Sequence, residues 1–216
     1  MLLNLVTPLH EQTKRDYKER LLDNKVEAMV EARKFEENYW DGPRRYGYGG
    51  YKYDGRWAAV AQRLVDRYGL DSSSSVLDIG CGKGFLLYEI QKLVPGIYLE
   101  GIERSQYAIA NKHPDLQATI INGRAENITY AGNFTLALSL GTFHNLTLRD
   151  LHQALPTIQN AARHKYIMVE SFRDEREWFN LTAWCLTAET LMRPEDWEFL
   201  FKQTGYTGDW EFIFFR

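Results

Sequence analysis

Cysteine is close to absent. Cys81 and Cys185 are the only two, one inside a glycine turn and one far along the chain. Two isolated thiols give neither a disulfide framework nor a thiolate metal site, so no metal is expected and a reducing, cytoplasmic setting is. No apolar run reaches the ~20 residues that span a bilayer, so no membrane partner is expected. The opening stretch Met1–Val6 is too short and too uncharged for a secretory signal. A basic excess is also missing. The formal net charge is −3, whereas a nucleic-acid surface needs cations, so no nucleic-acid partner is expected. There is no internal repeat, and no low-complexity tract beyond Ser72–Ser75, which reads as a turn. What is present is 216 residues, 44% of them apolar, enough for one α/β domain with a full core and an extension.

The informative stretch is Ser75-Val76-Leu77-Asp78-Ile79-Gly80-Cys81-Gly82-Lys83-Gly84. Val76, Leu77 and Ile79 form the short apolar run of a buried parallel strand. Gly80, Gly82 and Gly84 permit a sharp turn and close approach of a ligand to the backbone. Leu86, Ile90 and Leu93 then share one face of a helix. A nucleotide-like ligand at the helix N-terminus is the natural expectation. The dinucleotide fingerprint wants a small residue at position 85, where this chain has Phe85, and a phosphate loop wants Lys there. Asp78, just before the turn, would repel a pyrophosphate and suits a cationic ligand or an amine. Ile97–Ile102 reads as a second strand ending at Glu103. An acid there, about 20 residues past the glycines, is placed to bind two ribose hydroxyls.

A strand followed by acid-x-Gly-x-Gly-x-Gly resembles the first motif of the class I S-adenosylmethionine-dependent methyltransferases, and the resemblance runs from about residue 57 to 216. It implies a Rossmann-like, doubly wound, mostly parallel sheet and S-adenosylmethionine as cofactor. It places Asp78, Gly80, Cys81, Gly82 and Gly84 at the donor and gives Glu103 the ribose, with Arg104 beside it. Thr119–Ile121 reads as a third strand, followed by Asn122–Ile128. Relatives often carry an acid where this chain has Arg124, which leaves the backbone of Arg124 and Ala125 to read the adenine. Phe134–Leu140 reads as the fourth strand, with Ser139 and Leu140 at its end as donor-binding candidates, and Gly141–Leu146 after it resembles the family's segment facing the methyl donor. A branched side chain at Gly82 is expected to fill ligand space while leaving the fold largely intact.

Residues 1–56 read as an N-terminal helical extension with a loop, and 57–216 as the methyltransferase domain. Between Glu11 and Tyr39 the chain is charged and helical, with Leu22, Val26, Met29 and Val30 on one face and Glu11–Arg15 and Asp16–Arg20 at ion-pair spacing. It can pack on its own domain, cover the site, or make a homodimer contact. The stretch from Trp40 to Trp57 interleaves Gly, Tyr and Arg. It is read as a lid whose Tyr53 offers an aromatic face to the sulfonium and whose Arg56 pairs with the donor's carboxylate.

Leu148–Ala162 reads as a helix, Lys165–Val169 as a fifth strand ending at Glu170, and Pro194–Gln203 as a further helix. Tyr206–Phe215 supplies the last strand or strands, with the family's terminal antiparallel hairpin shortened. Methyl transfer needs alignment, and a base only where the nucleophile must lose a proton. His144, after the fourth strand, and Glu170 are the candidates. The expected reaction moves a methyl group to an O or N atom of a small sugar or amino-acid-like metabolite. The alternatives are a protein side chain as acceptor, a non-catalytic donor-binding subunit, and a nicotinamide oxidoreductase, which Phe85 disfavours.

Overall fold

The computed structural model describes every residue except 128 and 131; Ile128, at the end of the segment read above, lies outside the described residues. Six strands form one sheet: β1 (Ser75–Ile79), β2 (Tyr98–Glu103), β3 (Thr119–Asn122), β4 (Phe134–Leu140), β5 (Ala162–Ser171) and β6 (Asp209–Phe214). Their order is β3-β2-β1-β4-β5-β6 and all five pairings are parallel. This is the Rossmann-like doubly wound fold, and the order reverses between β1 and β4, where such sheets hold their ligands. The final strand is single and parallel to β5, so the shortened hairpin has become no hairpin at all.

Helices α1 (Thr7–His10), α2 (Tyr17–Leu22), α3 (Lys25–Ala32) and α4 (Glu37–Trp40) precede the sheet. They are followed by α5 (Ala58–Tyr68), α6 (Phe85–Leu93), α7 (Gln106–Ala110), α8 (Leu148–Ala161), α9 (Glu175–Trp184) and α10 (Pro194–Gln203). One face of the sheet, with Leu77, Ile79, Ala137, Ile167 and Val169, packs on α8 and α10 through Leu151, Leu155, Ile158, Trp197 and Phe201. The other, with Val76, Leu136, Leu138 and Tyr166, packs on α5, α6 and α9 through Val60, Leu64, Leu87, Ile90 and Leu181. Strand residues alternate between these cores because successive side chains point to opposite faces. The alternation puts Asp78 on the Val76 side. Helix α9 has a sequence signal that the reading above passed over: Asp174 caps it by accepting the Glu177 backbone N–H at 2.9 Å.

The first residues close the β6 edge. Leu3 donates its N–H to the Trp210 carbonyl at 2.8 Å, and Trp210 returns one to Met1 at 2.9 Å. The buried Glu211 carboxylate accepts the backbone N–H groups of Leu5 and Thr7, both at 2.6 Å. Covering a sheet edge and satisfying a buried carboxylate are both served by one segment.

The expected single helix over Glu11–Tyr39 is three short ones, broken where Asn24 (φ 43°) and Phe35 (φ 56°) take left-handed conformations. The break turns α3 so that the small Ala28 and Ala32 face inward, against Leu186 and Tyr39. Leu22, Val26 and Val30 are 72%, 74% and 61% exposed, so the expected apolar face stays open to solvent. The expected helical ion pairs do not form. Asp16 instead caps α2 through the Glu19 N–H, Arg20 bonds the Trp184 and Arg44 carbonyls, and Glu11 faces Arg216. Among the described residues no helix is long and apolar enough to cross a membrane.

Candidate active site

The carboxyl ends of β1, β2 and β4 open into a cavity. Its floor is Ile79, Gly80, Ile102, Glu103, Leu140 and Gly141, and its far wall is Gly123 to Glu126. Gly80 (φ 83°) turns the chain where a side chain could not fit: a Cβ there would lie 2.0 Å from the Thr142 hydroxyl. The turn is held by the Gly80 N–H on the Ile102 carbonyl at 2.7 Å.

Glu103 is 5% exposed, and its two carboxylate oxygens accept the N–H groups of Gly82 (2.8 Å) and Ser105 (2.7 Å). Burial raises its pKa and these bonds oppose the rise. Each oxygen keeps a lone pair for a ligand hydroxyl. Asp78 is buried beside it, and burial, helped by Glu103, pushes its pKa up to about 8. Two buried acids at one turn, and no ion pair to either among the described residues, make a site suited to a cation and hostile to phosphate.

The roof comes from the N-terminal extension: Phe35, Tyr39, Trp40 and Tyr48 line the cavity. Trp40 donates its indole N–H to Ser105 Oγ at 2.9 Å, which ties the roof to the residue bonded to Glu103. Its ring lies over the glycine turn, where a Gly82 Cβ would approach it to 2.9 Å. Gly82 has a φ of 56°. A valine there would therefore strain the backbone and strike Trp40, so the expectation of a harmless fold with blocked ligand space is corrected.

Several expected contacts fall elsewhere. Tyr53 donates to Glu89 at 2.5 Å and packs on Tyr88 and His113, outside the cavity lining. Arg56 pairs with Asp54 in its own exposed loop. The Cys81 sulfur points back at β2, where Gly101 leaves room for it. Ser139 is fully buried and bonds the Ile79 carbonyl at 3.0 Å, tying β4 to β1. Gly84 (φ 71°) packs against Leu116 and serves the turn. Arg104, Arg124, Ala125 and Leu140 do line the cavity, with the Arg104 guanidinium 4.6 Å from the Phe35 ring centre and Arg124 paired with Glu126. Phe35 and Tyr39 also line it, outside every stretch expected there, while Trp40, Tyr48, Gly123, Thr142 and Asn145 lie within the expected stretches without having been singled out. The aromatic spacing Phe35, Tyr39, Trp40 was the available signal.

His144 and Glu170 come together. His144 Nε2 lies 3.4 Å from Glu170 Oε2, and its Nδ1 accepts the Glu170 backbone N–H at 3.3 Å. His144 is 4% exposed, and burial lowers its pKa although Glu170 opposes this. The ring is thus neutral near pH 7, with Nδ1 taken up by the Glu170 N–H and Nε2 near the carboxylate. Neither His144 nor Glu170 is among the residues that line the cavity. Glu170 Oε2 also accepts from the Cys185 thiol at 2.7 Å. Among the described residues no group of His, Cys, Asp or Glu is set to hold a metal.

A family model described as "Methyltransferase domain" matches residues 76–165. Among solved structures, the plantazolicin methyltransferase BpumL, in complex with a triazolic desmethylPZN analog and SAH, is 21% identical. It covers 84% of this chain and 76% of its own, with a TM-score of 0.54. A chain of the Haloferax volcanii complex between the Trm112 methyltransferase activator and a methyltransferase is 17% identical over 69% of this chain and 74% of its own, also at 0.54. An amino pentose methyltransferase of Micromonospora echinaspora aligns at 21% identity and TM-score 0.44 over 50% of this chain and 47% of its own, so this chain spans about half its length. At such identities the likeness is one of fold. No curated protein matches the chain.

Proposed function

We propose that the chain, whose residues 76–165 match a methyltransferase domain, uses S-adenosylmethionine and moves its methyl group to an O or N atom of a small metabolite. The observation that carries this reading is the cavity at the β1–β4 divergence, walled by Glu103 and roofed by aromatic side chains. A concave site roofed by aromatic side chains suits a small acceptor better than a folded protein surface.

The donor supplies an electrophilic methyl on a sulfonium. Glu103 binds the ribose hydroxyls with the lone pairs that Gly82 and Ser105 leave free. The backbone from Gly123 to Ala125 reads the adenine edge, and the Arg104 guanidinium, stacked on Phe35, offers the base a flat cationic face. Asp78 ionises to meet the donor's ammonium. The aromatic roof excludes water and aligns the acceptor. Glu170 takes the acceptor's proton where one must leave, and His144 positions Glu170 by accepting its backbone N–H at Nδ1. The experiment is to incubate the full chain with isotope-labelled donor and a metabolite extract and to find labelled small molecules by mass spectrometry. Label only in protein would overturn the small-molecule acceptor.

A further inference from the structure

A second cavity, open to solvent, lies between α2, the Arg44–Arg45 turn and the end of α9. Its centre is Trp184, and three guanidinium groups surround that one indole. The carbon centres of Arg15, Arg20 and Arg44 are 5.5, 5.2 and 5.3 Å from the ring centre. Such stacking fixes the planes of the guanidinium groups but does not neutralise them.

Charge is what the cluster lacks. Among the described residues none of the three arginines forms an ion pair with a carboxylate, although Asp16, Glu19 and Asp23 stand on the same rim. Asp16 is spent on capping α2 and Asp23 faces Arg45. The arginine bonds go to neutral groups. Arg15 reaches the His10 and Thr13 carbonyls, Arg20 those of Trp184 and Arg44, and Arg44 that of Tyr48. Arg15 Nε is buried with no hydrogen-bond partner. Burial, and after it Arg44, lower the pKa values of Arg15 and Arg20, with Glu170 near Arg15 and Asp23 near Arg20 opposing in part.

The cluster shares a wall with the donor cavity. Arg44 bonds the carbonyl of Tyr48, whose residue lines that cavity. Cys185, next to Trp184, donates to Glu170. We propose that Arg15, Arg20 and Arg44 around Trp184 form a binding site for an oxyanion, a carboxylate or a phosphate monoester, and that the methyl acceptor is a small acid held there by its anionic group. The second half rests on the methyltransferase reading; the anion site itself does not.

The test is calorimetric titration of the full chain with benzoate and with phenyl phosphate as probes, and separately with S-adenosylhomocysteine. The expected result is saturable binding of at least one probe in the millimolar range or tighter, about tenfold or more weaker in Arg44→Gln and in Arg20→Gln, and weaker at high salt. The stronger probe tells carboxylate from phosphate. Arg44→Gln changes an exposed side chain, and its S-adenosylhomocysteine affinity should equal that of the unaltered chain. No saturable binding of either probe, or equal binding by both variants and the unaltered chain, overturns the anion site. Failure of S-adenosylhomocysteine alone to bind would instead remove the donor reading and leave the anion site judged by its own titration.

Discussion

The Lys83 ammonium lies 2.5 Å from the Asp41 carboxylate and 3.1 Å from the Tyr51 carbonyl. It joins the glycine turn to the roof. Tyr107 donates to the same Asp41 oxygen at 3.0 Å. The Lys83 side chain is only 6% exposed, so losing Asp41 strands a buried charge.

Asp41→Asn should therefore loosen the roof, weakening S-adenosylhomocysteine binding by roughly 1–3 kcal/mol. Limited proteolysis reads the same change: cleavage within residues 41–56 should speed up in the variant, and S-adenosylhomocysteine should slow it in the unaltered chain. Equal cleavage with and without ligand would contradict a closing roof.

Asp78 gives a pH dependence with a definite sign. Its folded pKa of about 8 lies above the ordinary carboxyl value of 3.8. The unfolded chain therefore releases this proton first as pH rises. The group lowers stability progressively between about pH 4 and pH 8, by at most ~1.4 kcal/mol per pH unit, and by a constant amount above that. Asp78→Asn should flatten the decline in Tm over this window. If Asp78 meets the donor's ammonium, S-adenosylhomocysteine binding at pH 7 should release about one proton. Calorimetry in buffers of different ionisation enthalpy measures it. Zero release, or the same release by Asp78→Asn, would place the charge elsewhere.

For proton handling, Glu170→Gln should lower the single-turnover rate by about 10²–10⁴ with an acceptor that must lose a proton, leaving donor affinity nearly unchanged. His144→Gln should lower it less, because the amide oxygen can still accept the Glu170 backbone N–H. Because the buried His144 has a pKa below 6.5, it also contributes stability present above about pH 6.5 and lost as pH falls below that. His144→Gln should remove that part of the acid sensitivity. A larger rate loss in His144→Gln than in Glu170→Gln would return the base to the imidazole.

The sheet was legible because its signals are local. Val76–Ile79 and Phe134–Leu140 are apolar runs bounded by turn residues, and the Glu103 spacing follows from one strand-helix-strand unit. The site walls that come from this unit were legible for the same reason. The lid stretch was legible, but which of its side chains form the roof was not, because that depends on contacts across the chain. Trp40 reaches Ser105, 65 residues away, whereas Tyr53 and Arg56 are taken up by Glu89 and Asp54. The helix periodicity that put Leu22 and Val26 inside failed at Asn24, whose left-handed backbone no apolar pattern announces. The bond between His144 Nδ1 and the Glu170 N–H likewise comes only from the fold, across 26 residues.

The account stands most directly on Glu103, and the deciding measurement is calorimetric titration of S-adenosylhomocysteine into the unaltered chain and into Glu103→Ala, each shown to be folded by circular dichroism. One saturable site per chain is predicted, weakened in Glu103→Ala by about 1.5–3 kcal/mol, the scale of hydrogen bonds to a charged group. No binding to the unaltered chain, or equal affinity in a folded Glu103→Ala, would contradict the assignment of this cavity to the methyl donor.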